Sequence, residues 1–569
     1  MKKNIIIGTL LLSGFTILTS CHDLNLNPLS NGSTDTWYSS ETEIQMAVND
    51  LYRIDFWVQD EGGVGGTDWS DDRVYREQLT AFQNATLNGQ NSAVTDLWAK
   101  QYKVIARANS VILKADRAIK NGASANKVNQ LVGEARFHRG CAYSKLICKF
   151  GDVPLVEGEL SIDEGLQQGR TDKATVLQFI YDDFDAAASV LPTSVSGQRR
   201  ATKGAALAFK ARIALYMGDY NTAATASKAV MDLGVYKLHS NYGNLFLSST
   251  KNSEESVFLI PRSIEYKVYV NIRGQLPRNS GGYAVPDPTW DLLASYTCTD
   301  GLPIDKSPLF DPHNPFKNRD PRCAMTIVPF GETFLGIEFN PNPQALQVMN
   351  YNTGKMIKNN DTRANAQYAS FNGLVWKKGV DEDALKNSGN IEPDYIVMRY
   401  ADVLLMYAEA KIELNQIDQS VLDAMNTVRA RAYGVDKSAT DKYPAFTSMD
   451  QKTLRTQLRT ERRVEFANEG LRYQDLVRWK IMNIAMSKKE YMMLYPSTLL
   501  LEKVVNNGDW FWPFAPNIDE NGLADFTKME AAGKCAAMSE KKWDDRQYLW
   551  PIPTTEIQIN PNMTQNPGY

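Results

Sequence analysis

The sequence predicts a mainly helical protein with a loop-rich irregular region and a few short β-strands. Apolar residues recur at three- and four-residue steps through residues 98–153 and again through 175–233, as in helices that bury one face. Residues 237–392 are instead rich in Pro, Gly and Asn, and the eight prolines from Pro277 to Pro321 exclude long helices there. The chain has 569 residues, of which 43% are hydrophobic and 22% charged, so its composition is that of an ordinary globular protein.

Five helices are predicted in the first part of the chain. Two antiparallel helices account for residues 98–153, with a break at Asn121-Gly122. A third helix covers 175–190 and ends at Leu191-Pro192. The fourth and fifth cover 204–217 and 220–233, and Gly218-Asp219 supplies the turn between them.

The fourth and fifth helices resemble a tetratricopeptide unit. Small residues at Ala205, Ala208, Ala211 and Ala214 allow two helices to approach closely, and the tight turn then returns the chain. A second such pair is predicted downstream, from residue 403 to about 415 and from 421 to 432. Because such pairs need at least three stacked copies to bury their faces, both halves of the sequence are expected to build one superhelical scaffold of paired helices.

The first twenty residues have the composition of an export signal. Lys2 and Lys3 precede an apolar stretch from Ile5 to Leu18, which is too short to span a bilayer. The stretch ends in Leu18-Thr19-Ser20-Cys21, which resembles a bacterial lipobox and predicts acylation of Cys21. A secretory signal with an incidental cysteine is the alternative. The predicted organisation is a lipoprotein signal peptide at 1–20, an N-terminal part at 21–236 and a C-terminal part at 237–569, the last two forming one compact unit.

Charge, cysteine and histidine content argue against several other classes of protein. A formal net charge of −4 excludes a nucleic-acid binder driven by global positive charge. The five cysteines after Cys21 contain no CxxC pair, so a disulfide framework is not expected. The four histidines are scattered and show no metal-ligand spacing, and Asp519, Asn521 and Gly522 supply only part of a calcium loop. We therefore expect neither a metal nor a cofactor.

Several ordered blocks of sequence resemble the SusD/RagB family of nutrient-binding outer-membrane lipoproteins. Residues 399–410 (RYADVLLMYAEA) and 426–432 (NTVRARA) look like the signature helices of that family. Further agreement comes from the blocks at 107–109, 134–137, 150–155, 461–466, 469–479, 548–553 with Glu556, and 565–569. The resemblance spans nearly the full chain, whereas the central region and the N-terminal loop depart from the pattern.

This resemblance implies a function as well as a fold. It implies a surface lipoprotein of the outer membrane that captures an oligosaccharide and delivers it to a SusC-like TonB-dependent transporter, and that is not an enzyme. It also implies that the paired helices face the transporter and that the ligand is held on a loop-rich face. Such a division suits sugars, because their apolar C–H faces stack on aromatic rings while their hydroxyls require polar partners.

Trp69 is the first candidate for ligand contact. It follows the glycine-rich loop 62–66 and precedes polar residues, which together would give a stacking face beside hydrogen-bonding groups. Asp68, Asp71 and Arg73 are candidates on the same grounds.

Two further aromatic residues are candidates in the central region. They are Tyr283, which follows Ser280-Gly281-Gly282, and Trp376, which has Lys377 beside it. Trp98, Trp479 and Trp550 lie in helical or motif blocks and are predicted to be core residues, as is Trp290 in a short helix. The run from Trp510 to Phe514 could serve ligand, transporter or core equally well.

The charged residues of the motif blocks have a structural and a catalytic interpretation. Arg399, Asp402 and Glu409 lie at helical spacing, as do Arg462, Glu465 and Glu469, so we predict that both sets form buried ion pairs. Alternatively, Glu461 with Glu465, or the acidic run 381–383, could be the paired carboxylates of a glycosidase. No nucleophile elbow or phosphate loop supports an enzyme.

Two alternatives of other classes also remain open at this point. One is a peptide-binding lipoprotein of the same architecture, because the acidic residues Asp68 to Asp72 could bind basic peptides. The other is a helical scaffold with no ligand. Neither the identity of a bound sugar nor its linkage follows from the sequence.

Overall fold

The computed structural model describes residues 37–57, 69–195 and 199–569. The predicted signal peptide, the lipidation site Cys21 and the ligand candidate Asp68 lie outside these residues. In the described part of the chain, no helix is both long enough and apolar enough to cross a bilayer.

Eight helices form the N-terminal part. They are α1 (Glu41–Leu51), α2 (Ser92–Lys114), α3 (Asp116–Lys120), α4 (Ala125–Phe150), α5 (Ile162–Gly165), α6 (Lys173–Val190), α7 (Lys203–Met217) and α8 (Tyr220–Asp232). Helices α1, α2, α6, α7 and α8 begin at polar caps whose side chains accept backbone N–H bonds, namely Ser40, Asn91, Asp172, Thr202 and Asp219. These helices confirm the five predicted ones, except that α2 begins six residues earlier, at the Asn91 cap, and the chain bends at Ala115 before α3.

The central region contains short elements joined by turns. Its helices are α9 (Trp290–Ser295), α10 (Arg322–Thr326) and α11 (Asp383–Lys386). The first strand of the described residues, β1 (Arg73–Val74), precedes α2. The strands of the central region are β2 (Ser256–Ile260), β3 (Val270–Asn271), β4 (Asp287–Pro288), β5 (Thr333–Phe334), β6 (Ile337–Glu338), β7 (Gln347–Asn350), β8 (Lys355–Lys358), β9 (Asn390–Ile391) and β10 (Tyr395–Arg399).

The last part of the chain returns to helices. They are α12 (Tyr400–Glu413), α13 (Gln419–Ala432), α14 (Gln451–Glu465), α15 (Arg472–Arg478), α16 (Met482–Ala485), α17 (Ser497–Lys503), α18 (Thr527–Ala531) and α19 (Thr554–Ile559). Strands β11 (Lys489–Met492), β12 (Asn517–Ile518), β13 (Ala524–Asp525) and β14 (Ala536–Glu540) lie among them. Short 3₁₀ turns occur at Ile54–Phe56, Asn244–Phe246, Ser248–Thr250, Val505–Asn507 and Asp545–Tyr548.

All strand pairs in the described residues are antiparallel and small. Strands β5 to β8 form one sheet in sequence order, and the remaining strands pair as β1 with β4, β2 with β10, β3 with β9, β11 with β14 and β12 with β13. The pair of β1 and β4 sets Val74 opposite Asp287 and so brings the N-terminal segment against the central region. The fold class is thus as predicted: helical, with an irregular region and short strands.

The predicted helix pairs pack on one another. α7 lies against α6 and α8, α8 against α12, and α12 against α13. Ala205, Ala208, Ala211 and Ala214 are fully buried at these contacts, since their small side chains allow the close approach. Gly218 ends α7 with a positive φ of 81°, which a residue with a side chain rarely adopts.

The two largest apolar cores of the described residues support most of these elements, and a smaller one lies between α12, α13 and α14. The first contains residues from both halves of the sequence, such as Ile44 and Val48 with Val403 and Trp550. The second lies under the central region and includes Trp290, Trp376, Trp512 and Phe526. The loop-rich segment is therefore packed on its own core, because its apolar residues are buried against residues 491–535. The predicted boundary at residue 236 stays a prediction.

The predicted core tryptophans and aromatic run can be placed on this structure. Trp98, Trp479, Trp550 and Trp290 are buried, as predicted. In the run from 510 to 514, Phe511 and Trp512 are buried and only Phe514 is largely exposed, so the run contributes mainly to the second core.

The motif carboxylates form buried ion pairs, as predicted. Glu465 is fully buried and meets Arg322 at 2.8 Å and Arg399 at 2.7 Å, and it also pairs with Arg431. Burial alone would raise the pKa of Glu465, but the three arginines outweigh burial and hold this pKa well below its usual value. Glu461 is likewise buried and paired, with Arg322 and Arg429. Neither carboxylate is open to a substrate, which removes this pair as the carboxylates of a glycosidase.

A second set of ion pairs fixes α12 against α14 and α15. Asp402 pairs with Arg462 at 2.9 Å and with Arg212 of α7 at 2.7 Å. Glu409 pairs with Arg478, and it accepts a hydrogen bond from the Trp479 indole at 2.7 Å. Such pairs lock the orientation of helices more than they add net stability.

Candidate ligand-binding face

Trp69 does not offer a face to a ligand. Only 5% of its surface is exposed, and its ring stacks on Trp550 at a centroid distance of 4.8 Å and packs beside Phe82. Its polar neighbours Asp71 and Asp72, which suggested an exposed loop, are also buried and form ion pairs with arginines that are distant in the chain. The sequence-based assignment of Trp69 as a ligand contact is therefore corrected to a core residue.

Asp71, Arg73 and Trp376 are also buried, contrary to the predicted ligand contacts. Asp71 binds Arg472 at 2.7 Å, and the nearby arginines lower its pKa although burial alone would raise it. The Arg73 guanidinium lies 5.5 Å from the centre of the Trp376 ring, which is fully buried in the second core. These three side chains connect the segment after Trp69 to the rest of the fold.

Tyr283 is the sequence candidate that the structure leaves exposed. Its turn depends on Gly282, where a Cβ would overlap the Leu276 carbonyl oxygen, and on Gly281, whose φ is 80°. The Arg273 guanidinium lies 5.2 Å from the Tyr283 ring centre, within cation–π range. Arg76 donates to the Tyr283 carbonyl oxygen at 2.9 Å and thereby holds the turn in place.

Three more exposed tyrosines lie on or next to arginines of this region. Arg76 lies 5.2 Å from the ring centre of Tyr368 and donates to its carbonyl oxygen at 3.2 Å. Tyr495 packs on Arg363, which interacts electrostatically with Arg76, and Tyr75 directly precedes Arg76. All four tyrosines are between 44% and 52% exposed. We call this set the tyrosine–arginine face: Tyr75, Tyr283, Tyr368, Tyr495, Arg76, Arg273 and Arg363.

Arg363 occupies an unusual position on this face. Its guanidinium lies 3.9 Å from the ring centre of Phe371 and 3.9 Å from that of Tyr495. Its Nε and Nη1 are buried and have no hydrogen-bond partner. Burial lowers the pKa of Arg363, but a guanidinium remains charged at any physiological pH. The face therefore holds a cation whose donors are unsatisfied.

Two open clefts elsewhere are weaker candidates. One, of about 700 Å³, is lined by Lys377 and the acidic run 381–383, and its Phe334 ring is only 8% exposed. The other, of about 740 Å³, contains Tyr52, whose hydroxyl is held by Glu134 at 2.5 Å while Arg200 covers its ring. Neither cleft presents an open aromatic ring to a sugar.

Within the described ranges, no three His, Cys, Asp or Glu side chains are grouped so that they could hold a metal ion. The five described cysteines are free, and four of them are buried. Burial raises the pKa of the Cys323 thiol to about 12, so this cysteine is an unreactive core residue.

Sequence reasoning missed most of the tyrosine–arginine face. Arg76, Tyr368 and Tyr495 come from three separate segments, and no local pattern distinguishes them from other exposed residues. The Ser280-Gly281-Gly282 turn was the signal that identified Tyr283. The Asn- and Asp-rich stretch 359–365 is a comparable signal for the loop that carries Arg363 and Tyr368.

A stacked-helix scaffold with an open face of aromatic rings and cations defines a helical binding protein. Comparison with known proteins gives the family. The family model described as SusD family matches residues 230–569, and one described as starch-binding associating with outer membrane matches 38–215. The chain belongs to the SusD/RagB family of glycan-binding proteins.

Individual relatives agree with this assignment over most of their length. SusD-like protein P25 of Formosa agariphila is 26% identical over 513 residues, which cover 84% of this chain and 90% of that protein. SusD-like protein P2 of the same organism is 24% identical over 97% of both chains. A crystal structure of a SusD-like carbohydrate-binding protein from Bacteroides fragilis superimposes with a TM-score of 0.73 at 28% identity, covering 93% of this chain and 99% of that one.

Proposed function

We propose that this protein captures an oligosaccharide on the tyrosine–arginine face. The observation that carries the proposal is a set of three exposed tyrosine rings that lie against arginines, namely Tyr283 on Arg273, Tyr368 on Arg76 and Tyr495 on Arg363. The exposed Tyr75 directly precedes Arg76 in the chain. Sugar rings stack their apolar faces on tyrosine, and guanidinium groups donate to sugar hydroxyls. The B. fragilis structure, which is described as carbohydrate-binding and is 28% identical, supports the same class of ligand.

The proposed location is the outer membrane, where acylated Cys21 would anchor the protein at the cell surface. The lipobox-like residues Leu18 to Cys21 support the anchor, and the family model described as associating with the outer membrane supports the compartment. Replacing Cys21 with Ala should move the protein from the membrane fraction to the soluble fraction, whereas an unchanged distribution would contradict the anchor.

The proposed partner is a SusC-like TonB-dependent transporter, which would receive the bound oligosaccharide. Family membership supports this partner, and the stacked helices α7, α8, α12 and α13 offer a rigid surface on which it could dock. Purification of the lipidated protein from detergent-solubilised membranes should recover a β-barrel transporter. Its repeated absence under mild detergent would contradict delivery.

We propose a non-catalytic role. Curated relatives are named as SusD-like proteins, and Glu461 and Glu465 are engaged by buried arginines. Oligosaccharides incubated with the protein should therefore remain intact. Multiple turnovers of hydrolysis would overturn this part of the proposal.

The peptide alternative loses two of the three acidic residues that suggested it. Asp71 and Asp72 are buried and bind Arg472 and Arg463, so they offer no free negative charge to a basic peptide. A glycan array set beside a peptide library still separates the two. Tight peptide binding without glycan binding would favour the alternative.

The direct test of the site is affinity electrophoresis in native gels that contain single polysaccharides. Tyr283→Ala and Tyr368→Ala should each reduce retardation of the protein, since each removes a stacking ring worth ~1 kcal/mol or more. Tyr266→Ala is the matched control, because this 75% exposed tyrosine lies on the turn between Ser263 and Val268. Equal retardation of all variants would contradict the proposed site.

A further inference from the structure

We infer that the ligand of the tyrosine–arginine face is an acidic glycan, carrying carboxylate or sulfate groups, and that Arg363 binds its anionic group. This inference rests on the proposed function and specifies its substrate class. The geometry of Arg363, the charge around it and the contrast with other buried arginines of the chain each contribute.

The two rings beside Arg363 determine how it can be approached. Phe371 and Tyr495 each lie 3.9 Å from the guanidinium carbon and so cover the guanidinium from two sides. The N–H donors of a guanidinium lie in its plane, and a carboxylate or sulfate accepts two of them side by side. Rings at this distance also restrict the rotation of the Arg363 side chain, so its guanidinium is held in one orientation before a ligand arrives.

Two buried arginines of the second core region, Arg319 and Arg322, have acceptors for their donors. Arg319 donates to three backbone carbonyl oxygens, of Leu293, Tyr296 and Pro315. Arg322 pairs with Asp320 at 2.7 Å and with two further carboxylates. In Arg363, by contrast, Nε and Nη1 are both buried and without an acceptor. The positive charge of this guanidinium therefore has no counter-charge beside it among the described residues, and an anionic group of a ligand would supply one.

The surroundings of Arg363 are positive. Arg76 and Arg273 belong to the same face, and for neither of them nor for Arg363 does a described carboxylate lie within 4.0 Å. Glu77 is exposed, and its attraction is too weak to offset the effect of burial on the pKa of Arg363. Asp287 lies under the face near Arg76, and burial raises its pKa well above the usual value, so its carboxyl adds little negative charge.

This positive face belongs to a chain whose net charge is −4. A polyanion is repelled by such a protein as a whole, so binding of an acidic polysaccharide requires a local concentration of cations. A neutral sugar would need the tyrosines but would leave the donors of Arg363 unsatisfied.

The test uses polysaccharide pairs that differ only in charge. Native gels would contain polygalacturonate or its highly methyl-esterified form, dextran sulfate or dextran, and laminarin as a further neutral polymer. We expect retardation by polygalacturonate, by dextran sulfate or by both, and little by the neutral member of each pair. The two pairs distinguish a carboxylate ligand from a sulfated one.

Variants of Arg363 test whether this residue causes the preference for charged polysaccharides. Titration calorimetry with the retarding polymer should show a ~10- to 100-fold loss of affinity for Arg363→Gln, the usual effect of losing hydrogen bonds from a charged donor. Arg363→Lys keeps the charge but loses the planar guanidinium, so its affinity should lie between those of the wild type and Arg363→Gln. Lys228→Gln on α8 removes the same charge from a half-exposed site and should bind like the wild type. Thermal unfolding should show that Arg363→Gln is still folded at the temperature of the titration, so that a loss of affinity reports on binding and not on unfolding.

Each outcome decides the inference. Binding of the neutral member of a pair as tightly as the charged one, or equal affinities for Arg363→Gln and Lys228→Gln, would overturn the acidic specificity and leave the glycan site standing. Retardation by none of the polymers, neutral or charged, would overturn the proposed glycan site together with the inference.

Discussion

The Arg399 guanidinium and the Glu465 carboxylate form an ion pair of 2.7 Å inside the protein, although 66 positions separate them in the chain. Arg399 ends β10 and directly precedes α12, whereas Glu465 is the last residue of α14. The pair therefore fixes the position of one helix end against another, and Glu469 adds two further bonds to the same guanidinium.

Loss of the Glu465 charge should destabilise the fold strongly. Glu465→Gln keeps the shape of the side chain but leaves Arg322, Arg399 and Arg431 with less negative charge around them. Removing one member of a buried ion network costs ~3–5 kcal/mol. Urea unfolding followed by circular dichroism measures this loss. Glu413→Gln, which breaks a partly exposed pair with Arg455, is the control and should cost ~1 kcal/mol or less. Similar losses in the two variants would contradict the structural role of Glu465.

Trp69→Ala should affect stability rather than ligand binding. Its ring is packed against Trp550 and Phe82, so truncation leaves a cavity and should cost ~3–5 kcal/mol. Glycan affinity of the folded fraction, measured by calorimetry, should remain within about twofold of the wild type. Tyr283→Ala should show the opposite behaviour, with lost affinity and nearly unchanged unfolding. Loss of affinity in a stably folded Trp69→Ala protein would instead support Trp69 as a ligand contact.

Gly282→Ala should disturb the turn that presents Tyr283. The added Cβ would overlap the Leu276 carbonyl oxygen, so the turn must shift at a cost of ~1–3 kcal/mol. Weaker glycan binding, measured by affinity electrophoresis, should accompany this shift. Gly165→Ala is the matched control, because nothing lies within 4 Å of a Cβ at that position. Unchanged binding by Gly282→Ala would show that the turn does not position the site.

His138 should make the stability of the fold depend on pH. The ring is buried among Tyr52 and Trp57, and burial, with a smaller contribution from Arg200, lowers its pKa from 6.5 to about 3. The unfolded chain therefore binds the extra proton at higher pH than the folded protein does. Stability is fully present above pH 6.5 and is lost as the pH falls toward 3, by up to ~1.4 kcal/mol per pH unit.

The measurement for His138 is the free energy of unfolding between pH 7 and pH 5, above the range in which most carboxylates titrate. The His138→Phe variant should show a smaller slope than the wild type over this interval. His313→Gln changes an exposed histidine and should retain the wild-type slope. Parallel slopes for the wild type and His138→Phe would contradict the assignment.

Most of the helical scaffold could be predicted from the sequence because its signals are local. The spacing of Ala205 to Ala214 and the turn at Gly218 specify α7 and α8 without information from elsewhere in the chain. The motif arginines and carboxylates likewise indicated ion pairs by their helical spacing, although their partners turned out to lie on other elements.

The ligand-binding face could not be predicted in the same way. Asp71 and Arg472 are 401 positions apart, so nothing near Trp69 in the sequence shows that its polar neighbours are already engaged. Tyr368 meets Arg76, and Tyr495 meets Arg363, through contacts between segments that are distant in the chain. An exposed loop and a buried loop with distant ion-pair partners have the same local composition. The sequence therefore could not separate Tyr283, which is exposed, from Trp69 and Trp376, which are buried.

The ion pairs of Asp71 and Asp72 have a consequence for how this protein can change. Asp72 pairs with Arg463 of α14, and Asp71 pairs with Arg472 of α15. The two ion pairs attach the segment that precedes Tyr75 to these helices. A substitution of the exposed Tyr75 therefore leaves that attachment intact. Such exposed residues can be exchanged one at a time while the helical frame beneath them continues to fold.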